Sequence, residues 1–394
     1  LRRGFFVAVR LAFTHRPFLL GLLCYLFPLD SNAPDSGALN TMTKRHPLLS
    51  FSLVATAAVM LLTGCSDNGS SSAAQSSADG KPEYPVTWRF ALEEIEGSVQ
   101  HLYAQQFREQ VEALSGGRIE VDVFPYGSLG TSAQLTELTR NGSVNLAFAS
   151  PGHLADTVPE TGLFNLHFLL PEEQEPARRL LEAPEFISAF EPAYRNAGLQ
   201  LLGFVPEGWM TWTANNPLRT PADFQGLRFR TMTSETAAEA FRSYGADPVQ
   251  TPFAQVYSDL QLGNIDGQSN PVFAIEEMGF HEVQNVMTMA RASRFIASVV
   301  ANEDWFAGLP SQERKWLEET IAQLSEEAWT LQEDLNKERL ETILEQGGIR
   351  VVRLTEAERA AFRDASLPAR QRFIELTGEK GQALIQRATS IAGD

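Results

Sequence analysis

Gly226-Leu-Arg-Phe-Arg230 and Asp266-Gly-Gln-Ser-Asn-Pro271 bracket the stretch whose reading decides the fold. Leu227 to Met232 reads as a strand. Ser234 caps a helix through Tyr244, which Gly245 ends. Pro248 to Thr251 is a short strand, and Ala254 to Leu262 is a helix with Val256 and Leu260 inward. Ile265-Asp266-Gly267 is a short strand and turn. A strand therefore delivers Arg230, and a later turn delivers Asn270. Arg228 and Arg230 share one strand face. Either both are solvated on an edge strand, or one is aimed at a bound carboxylate, whose two oxygens its planar fork matches. Asn270 reads as a plain turn residue or as a second contact to the same ligand.

Toward the amino terminus, Val86 to Ala91 alternates as a strand does. Ser98 caps a helix through Ser115, with Leu102, Phe107, Val111 and Leu114 on one face. Arg118 to Pro125 is a strand, Gly130 to Arg140 contains a helix, and Val144 to Ala149 is a third strand. Strand–helix–strand–helix–strand implies an α/β fold with a parallel sheet. Ligands in such sheets bind at the carboxyl ends of strands, and those ends carry Glu93, Glu94, Ser150 and His153. Gln200 to Val205 runs into Trp209 to Ala214 with no helix between, as if one long strand crosses from one domain to another. Arg294 to Asn302 is the expected return crossing. Trp209 and Trp212 cannot share a strand face, so one is expected in the core and the other lining the cleft. Phe253 and Phe273 read as core or as a ligand platform. Leu317, Ile321, Leu324, Ala328, Leu331 and Leu335 fall on one face of a helix from Ser311 to Gln346. At ~1.5 Å per residue that helix is about 50 Å long, enough to brace two domains.

Length and charge agree with this division. A chain of 394 residues exceeds one ordinary core. Its formal charge of −17 argues against nucleic acid, which needs clustered Lys and Arg. Met42 begins an expected signal segment, with Lys44 and Arg45 before an apolar run from Pro47 to Leu62 that is shorter than the ~20 residues a spanning helix needs. Leu62-Thr-Gly-Cys65 then resembles a bacterial lipobox, with Cys65 lipidated. Residues 1–41 are expected to come from an upstream start-site assignment. Residues 42–64 are the signal, and 65–83 form a Ser/Gly-rich tether. Residues 84–207 with 296–335 would form domain I, and 208–295 with 336–394 domain II, with the ligand in the cleft between them. The two cysteines, Cys24 and Cys65, both precede the globular part. The six histidines show no metal-ligand spacing, and no nucleotide-binding or nucleophile-elbow motif occurs. The sequence therefore reads as no enzyme, with no cofactor and no metal.

From Trp88 to Gly381 the chain resembles the solute-binding proteins of tripartite ATP-independent periplasmic (TRAP) transporters. Ser115-Gly-Gly-Arg-Ile119, Phe124-Pro125 with Leu129-Gly130, Asn141-Gly142, Pro221 to Arg230, Gly245-Ala-Asp-Pro248, Val256-Tyr257, Asp266 to Pro271 and Leu309-Pro310 carry the resemblance in order. It implies two α/β domains, each a mixed sheet flanked by helices, a brace helix, closure over a small ligand, integral-membrane transporter subunits as partners, a periplasmic location and a monomer. It further implies that Arg230 binds a carboxylate and that Asn270 supports it. Trp88 to Gly97, Ser150-Pro-Gly152, Pro206-Glu-Gly208, Arg230-Thr-Met-Thr233 and Asn270-Pro-Val-Phe273 are most similar to the ectoine-binding members. There a glutamate at the Glu94 position holds cationic ring nitrogens. Two positions depart from that pattern: Phe253 stands in place of a tryptophan, and His153 in place of a phenylalanine. Met210 stands where dianion-binding members carry a basic residue, which argues against a dianion. Ser150, Trp209 and Phe273 complete the expected ligand set. An ectoine-like zwitterion is the first expectation. Another small organic acid, or an amine such as ethanolamine, is the alternative. The rival classes are a sensor module docking on a signalling receptor and a lyase using Glu94 and His153.

Overall fold

The computed structural model describes residues 85–393. The expected signal segment, Cys65, the tether and residues 1–41 lie outside the described residues. Eleven strands are described: β1 (Val86–Ala91), β2 (Ile119–Phe124), β3 (Leu146–Ala149), β4 (Leu199–Trp209), β5 (Thr211–Ala214), β6 (Arg228–Thr231), β7 (Asp247–Gln250), β8 (Gly267–Asn270), β9 (Val286–Met289), β10 (Arg294–Asn302) and β11 (Arg350–Arg353). They form two sheets, in the orders β2-β1-β3-β10-β4 and β11-β9-β5-β8-β6-β7. The β1–β2 and β1–β3 pairs are parallel, as the βαβ reading requires, whereas β10 runs antiparallel to β3 and β4. The second sheet is also mixed. The result is a two-lobe α/β fold with helices flanking each sheet.

Both crossings exist. β4 ends in the first sheet at Trp209, and after Met210 the chain enters the second sheet as β5. β10 returns, its first residue Arg294 paired with Trp209. The helix Ser311–Gln346 has the expected bounds. Leu317, Ile321, Leu324 and Ala328 pack on first-lobe residues such as Trp88 and Phe107, whereas Ile343 packs with Val256, Phe280 and Met287 of the second lobe. One helix thus buries its apolar face against both cores. Between these contacts, Asn336 donates to the Glu207 carbonyl at 2.9 Å and accepts from the Phe273 amide at 3.2 Å. Gly208, the next residue on the crossing strand, has φ +133°, and a Cβ there would lie 2.5 Å from the Asn336 amide nitrogen. Only glycine lets the helix come this close to the hinge.

Two packing details differ from the sequence reading. The buried face of helix Val99–Ser115 is Val99, Tyr103, Phe107 and Val111, while Leu114 is exposed. The partition expected from the sequence gives 336–394 to the second lobe. In the structure only part of this packs there: Phe362 joins Trp212 and Phe224, but Phe373, Leu384 and Ala388 pack with Phe164, Phe186 and Phe190 of the first lobe. The final helices bury apolar stripes on the nearest large aromatic cluster, and that cluster belongs to the other sheet's lobe.

Candidate functional site

Arg230 lies on β6, which sits between β8 and β7, so it is not on an edge strand. Its strand-face mate Arg228 is exposed and makes a two-pronged pair with Asp266, at 2.7 and 3.1 Å. Arg230, near the carboxyl end of the strand, is 1% exposed. Its Nε donates to the Thr251 carbonyl at 3.0 Å, and its Nη2 is buried with no hydrogen-bond partner. Burial pulls its pKa down to about 10, still well above neutrality, so the guanidinium stays charged. A buried cation without a counterion is costly unless something supplies one. Asn270 ends β8, one strand over, and is a strand residue paired opposite Thr211 rather than a turn residue. Its side-chain amide donates to Gln268, which in turn donates to the Thr213 hydroxyl at 3.0 Å.

Facing this arginine across the cleft are the carboxyl ends of first-lobe strands. Glu93 and Glu94 follow β1, and both are buried. Glu93 accepts from the Ser150 amide at 2.7 Å. Gln100, in the first turn of its helix, accepts from the Glu93 amide at 2.8 Å and donates to Glu207 at 3.0 Å. Glu207 comes from the crossing strand β4 and is fully buried. Burial raises the Glu93 carboxyl to about 7. Burial, and then the neighbouring Glu207, push Glu94 well above the ordinary carboxylate range. Glu207 is raised as well, first by burial. One end of the cleft therefore holds more carboxylates than it can ionise together without a cation. His153 lies at the same strand ends. Burial and the charge of Arg230 lower it to about 4, so it is neutral at pH 7 and able to accept a hydrogen bond.

Glu93, Glu94, Gln100, Ser132, Ser150, His153, Arg230, Met232, Phe253, Asn270, Ala274 and Phe295 line one cavity of about 30 Å³. That is room for water rather than for a metabolite. Of the residues singled out in the sequence, Arg230, Asn270, Glu94, Ser150, His153 and Phe253 come together here. Three do not. Phe273 is wholly buried among Val99, Ala274 and Leu335, and Ala274, one helical step on, takes the place at the cavity wall. Met210 lines a neighbouring chamber on the other side of Arg230. Trp209 lies outside this cavity, and its cross-strand partner Arg294 stacks on it with the guanidinium 4.0 Å from the ring centre. It lines a separate cavity of about 440 Å³ with Arg291, Arg353 and Arg359. Gln100 and Glu207 escaped the sequence reading. A helix-borne glutamine and a Pro-Glu-Gly segment carry no local mark of pairing in space.

A cleft between two α/β lobes, bridged by two strands and a bracing helix and charged oppositely at its two walls, defines an extracellular solute-binding protein. Residues 90–376 match the family described as bacterial extracellular solute-binding protein, family 7, and the chain belongs to that family of TRAP-transporter binding proteins. The family is one of transport proteins that act in the periplasm. Among the described residues no helix is long and apolar enough to cross a membrane. The ectoine/5-hydroxyectoine-binding periplasmic protein of Ruegeria pomeroyi is 33% identical over 79% of this chain and 91% of its own length. An apo, open structure of a TRAP periplasmic solute-binding protein from Marinobacter aquaeolei VT8 is 97% identical, covers 77% of this chain and all of that one, and superposes with a TM-score of 0.75. The periplasmic ectoine-binding protein of the Halomonas elongata TRAP transporter superposes with the same TM-score of 0.75 at 33% identity, over 78% of this chain and 99% of that one.

Proposed function

We propose that the cleft captures a small zwitterion, ectoine or a compound of the same charge pattern, and delivers it to TRAP membrane subunits. The observation that carries this reading is the pairing of an uncompensated buried guanidinium with a crowded carboxylate wall inside one cavity. A ligand carboxylate completes Arg230 through its free Nη2, with Asn270 beside it. A ligand cation completes Glu94, with Glu93 and Glu207 behind it. Each end then gains the counter-charge it lacks, whereas a ligand of a single sign satisfies only one of the two. Neutral His153 and the Phe253 ring form the side walls. The ectoine-binding relatives from Ruegeria and Halomonas favour ectoine.

A thermal-shift screen with ectoine, hydroxyectoine, monocarboxylates, dicarboxylates, amino acids, sugar acids and ethanolamine tests the reading. A ligand at a hundred times its dissociation constant stabilises by ~2.7 kcal/mol. Ectoine or another zwitterion should give the largest shift. A shift with dicarboxylates alone would overturn the proposal. We further infer that the protein is a monomer held to the membrane through lipidated Cys65, by the Leu62-Thr-Gly-Cys65 pattern. Cys65→Ser should move it from the membrane fraction to the soluble periplasm, and an unchanged distribution would refute the anchor.

A further inference from the structure

Tyr126 follows β2 in the first lobe and is half-buried. Two contacts and its position tie it to the site. Its amide donates to the Glu94 carbonyl at 2.8 Å. Its ring meets the Phe253 ring of the second lobe edge-on, with centroids 5.9 Å apart and planes at 75°. It also lies within electrostatic range of Arg230. Phe253 is held in turn by Phe280, edge-on at 6.0 Å. Tyr126 and Phe253 thus meet across the lobes, one anchored to the backbone of the carboxylate wall and the other seated in the second-lobe core.

We propose that Tyr126 is the gate and a specificity residue of this cleft: its ring shuts against Phe253 over the ligand, and its hydroxyl donates to the ligand carboxylate held by Arg230. The inference rests on the proposed zwitterion site. The ring and the hydroxyl are separable. Edge-on aromatic contact holds the lobes together whatever the ligand, whereas the phenol donor serves only ligands that present an acceptor near Arg230.

The test measures ectoine and ethanolamine binding to the purified protein and its Tyr126→Phe and Tyr126→Ala variants, by calorimetry and stopped-flow fluorescence. Tyr126→Phe should weaken ectoine severalfold, the worth of one hydrogen bond, and leave ethanolamine unchanged. Tyr126→Ala should also speed ectoine dissociation, by severalfold to about tenfold. Ectoine affinity and dissociation unchanged in both variants would overturn the proposal. A second measurement does not depend on ligand identity. A Tyr126→Cys, Phe253→Cys double variant should be bridged by a short bismaleimide, with neither single variant giving the product. Absence of the bridge under every condition overturns the gate even where ligand binding stands. Wild-type protein that binds nothing in the panel overturns the zwitterion site instead, and the bridge still reads the gate.

Discussion

The two walls of the cleft solve opposite electrostatic problems. The second-lobe wall has one cation, Arg230, dry and short of a partner. The first-lobe wall has three buried carboxyls, Glu93, Glu94 and Glu207, which share Gln100, the Ser150 amide and protons. A lone buried charge cannot shed its cost when the group is an arginine. A carboxylate cluster can, by taking up a proton. The arginine wall is therefore fixed in charge and the carboxylate wall adjustable.

The sharpest way to break this comparison is Arg230→Ala. Removing the fixed charge should cost roughly 2–5 kcal/mol in binding any carboxylate-bearing ligand, read by calorimetry. Unchanged affinity would take Arg230 out of the site. Glu94→Gln should cost less, about 1–3 kcal/mol, and only for ligands with a cationic group. An equal loss for a simple carboxylate would erase the distinction between the walls.

Smaller effects should follow pH. Glu93, raised to about 7, keeps its proton in the folded chain at pH values where the unfolded chain has lost it above the ordinary 4.5. The folded state binds more protons, so ligand-free stability should fall as pH rises from about 4.5 to 7. Zwitterion affinity should run the other way, rising with pH as the wall ionises. Melting curves with and without ligand should therefore diverge toward pH 8, and parallel curves would contradict the adjustable wall. The smallest change is expected from Phe253→Trp, which should tighten cationic ligands by ~0.5–1 kcal/mol through a stronger cation–π face. Titration against ectoine and against a plain carboxylate would show whether the gain is confined to the cation.

Much of this was legible in the sequence because it is periodic or punctuated. The brace helix declares itself through its apolar stripe, and the two crossings through apolar runs with no helix between them. Arg230 was visible as a charge on an apolar strand. What the sequence left open or missed depends on partners far away in the chain. Trp209 lines a cavity apart from Arg230 and stacks on Arg294 across the ladder. Phe273 went to the core because Leu335 and Val99 meet it there. Leu114 is exposed because the packing face of its helix is set by Tyr103 rather than Leu102. Glu207 was unreadable for the same reason, since nothing near it in sequence announces two further carboxyls.

The position of β10 between β3 and β4 has a consequence for biogenesis. Until residue 302 is available, the first sheet lacks the strand that joins β4 to the rest, and β3 and β4 each present an unpaired, apolar edge. Neither sheet can be completed by an amino-terminal fragment, so a chain cut short before Arg294 offers two sticky strand edges and no finished core. Such a product should aggregate or be degraded rather than persist as a half-protein. Export and quality control therefore handle a chain that gains its solubility late and all at once.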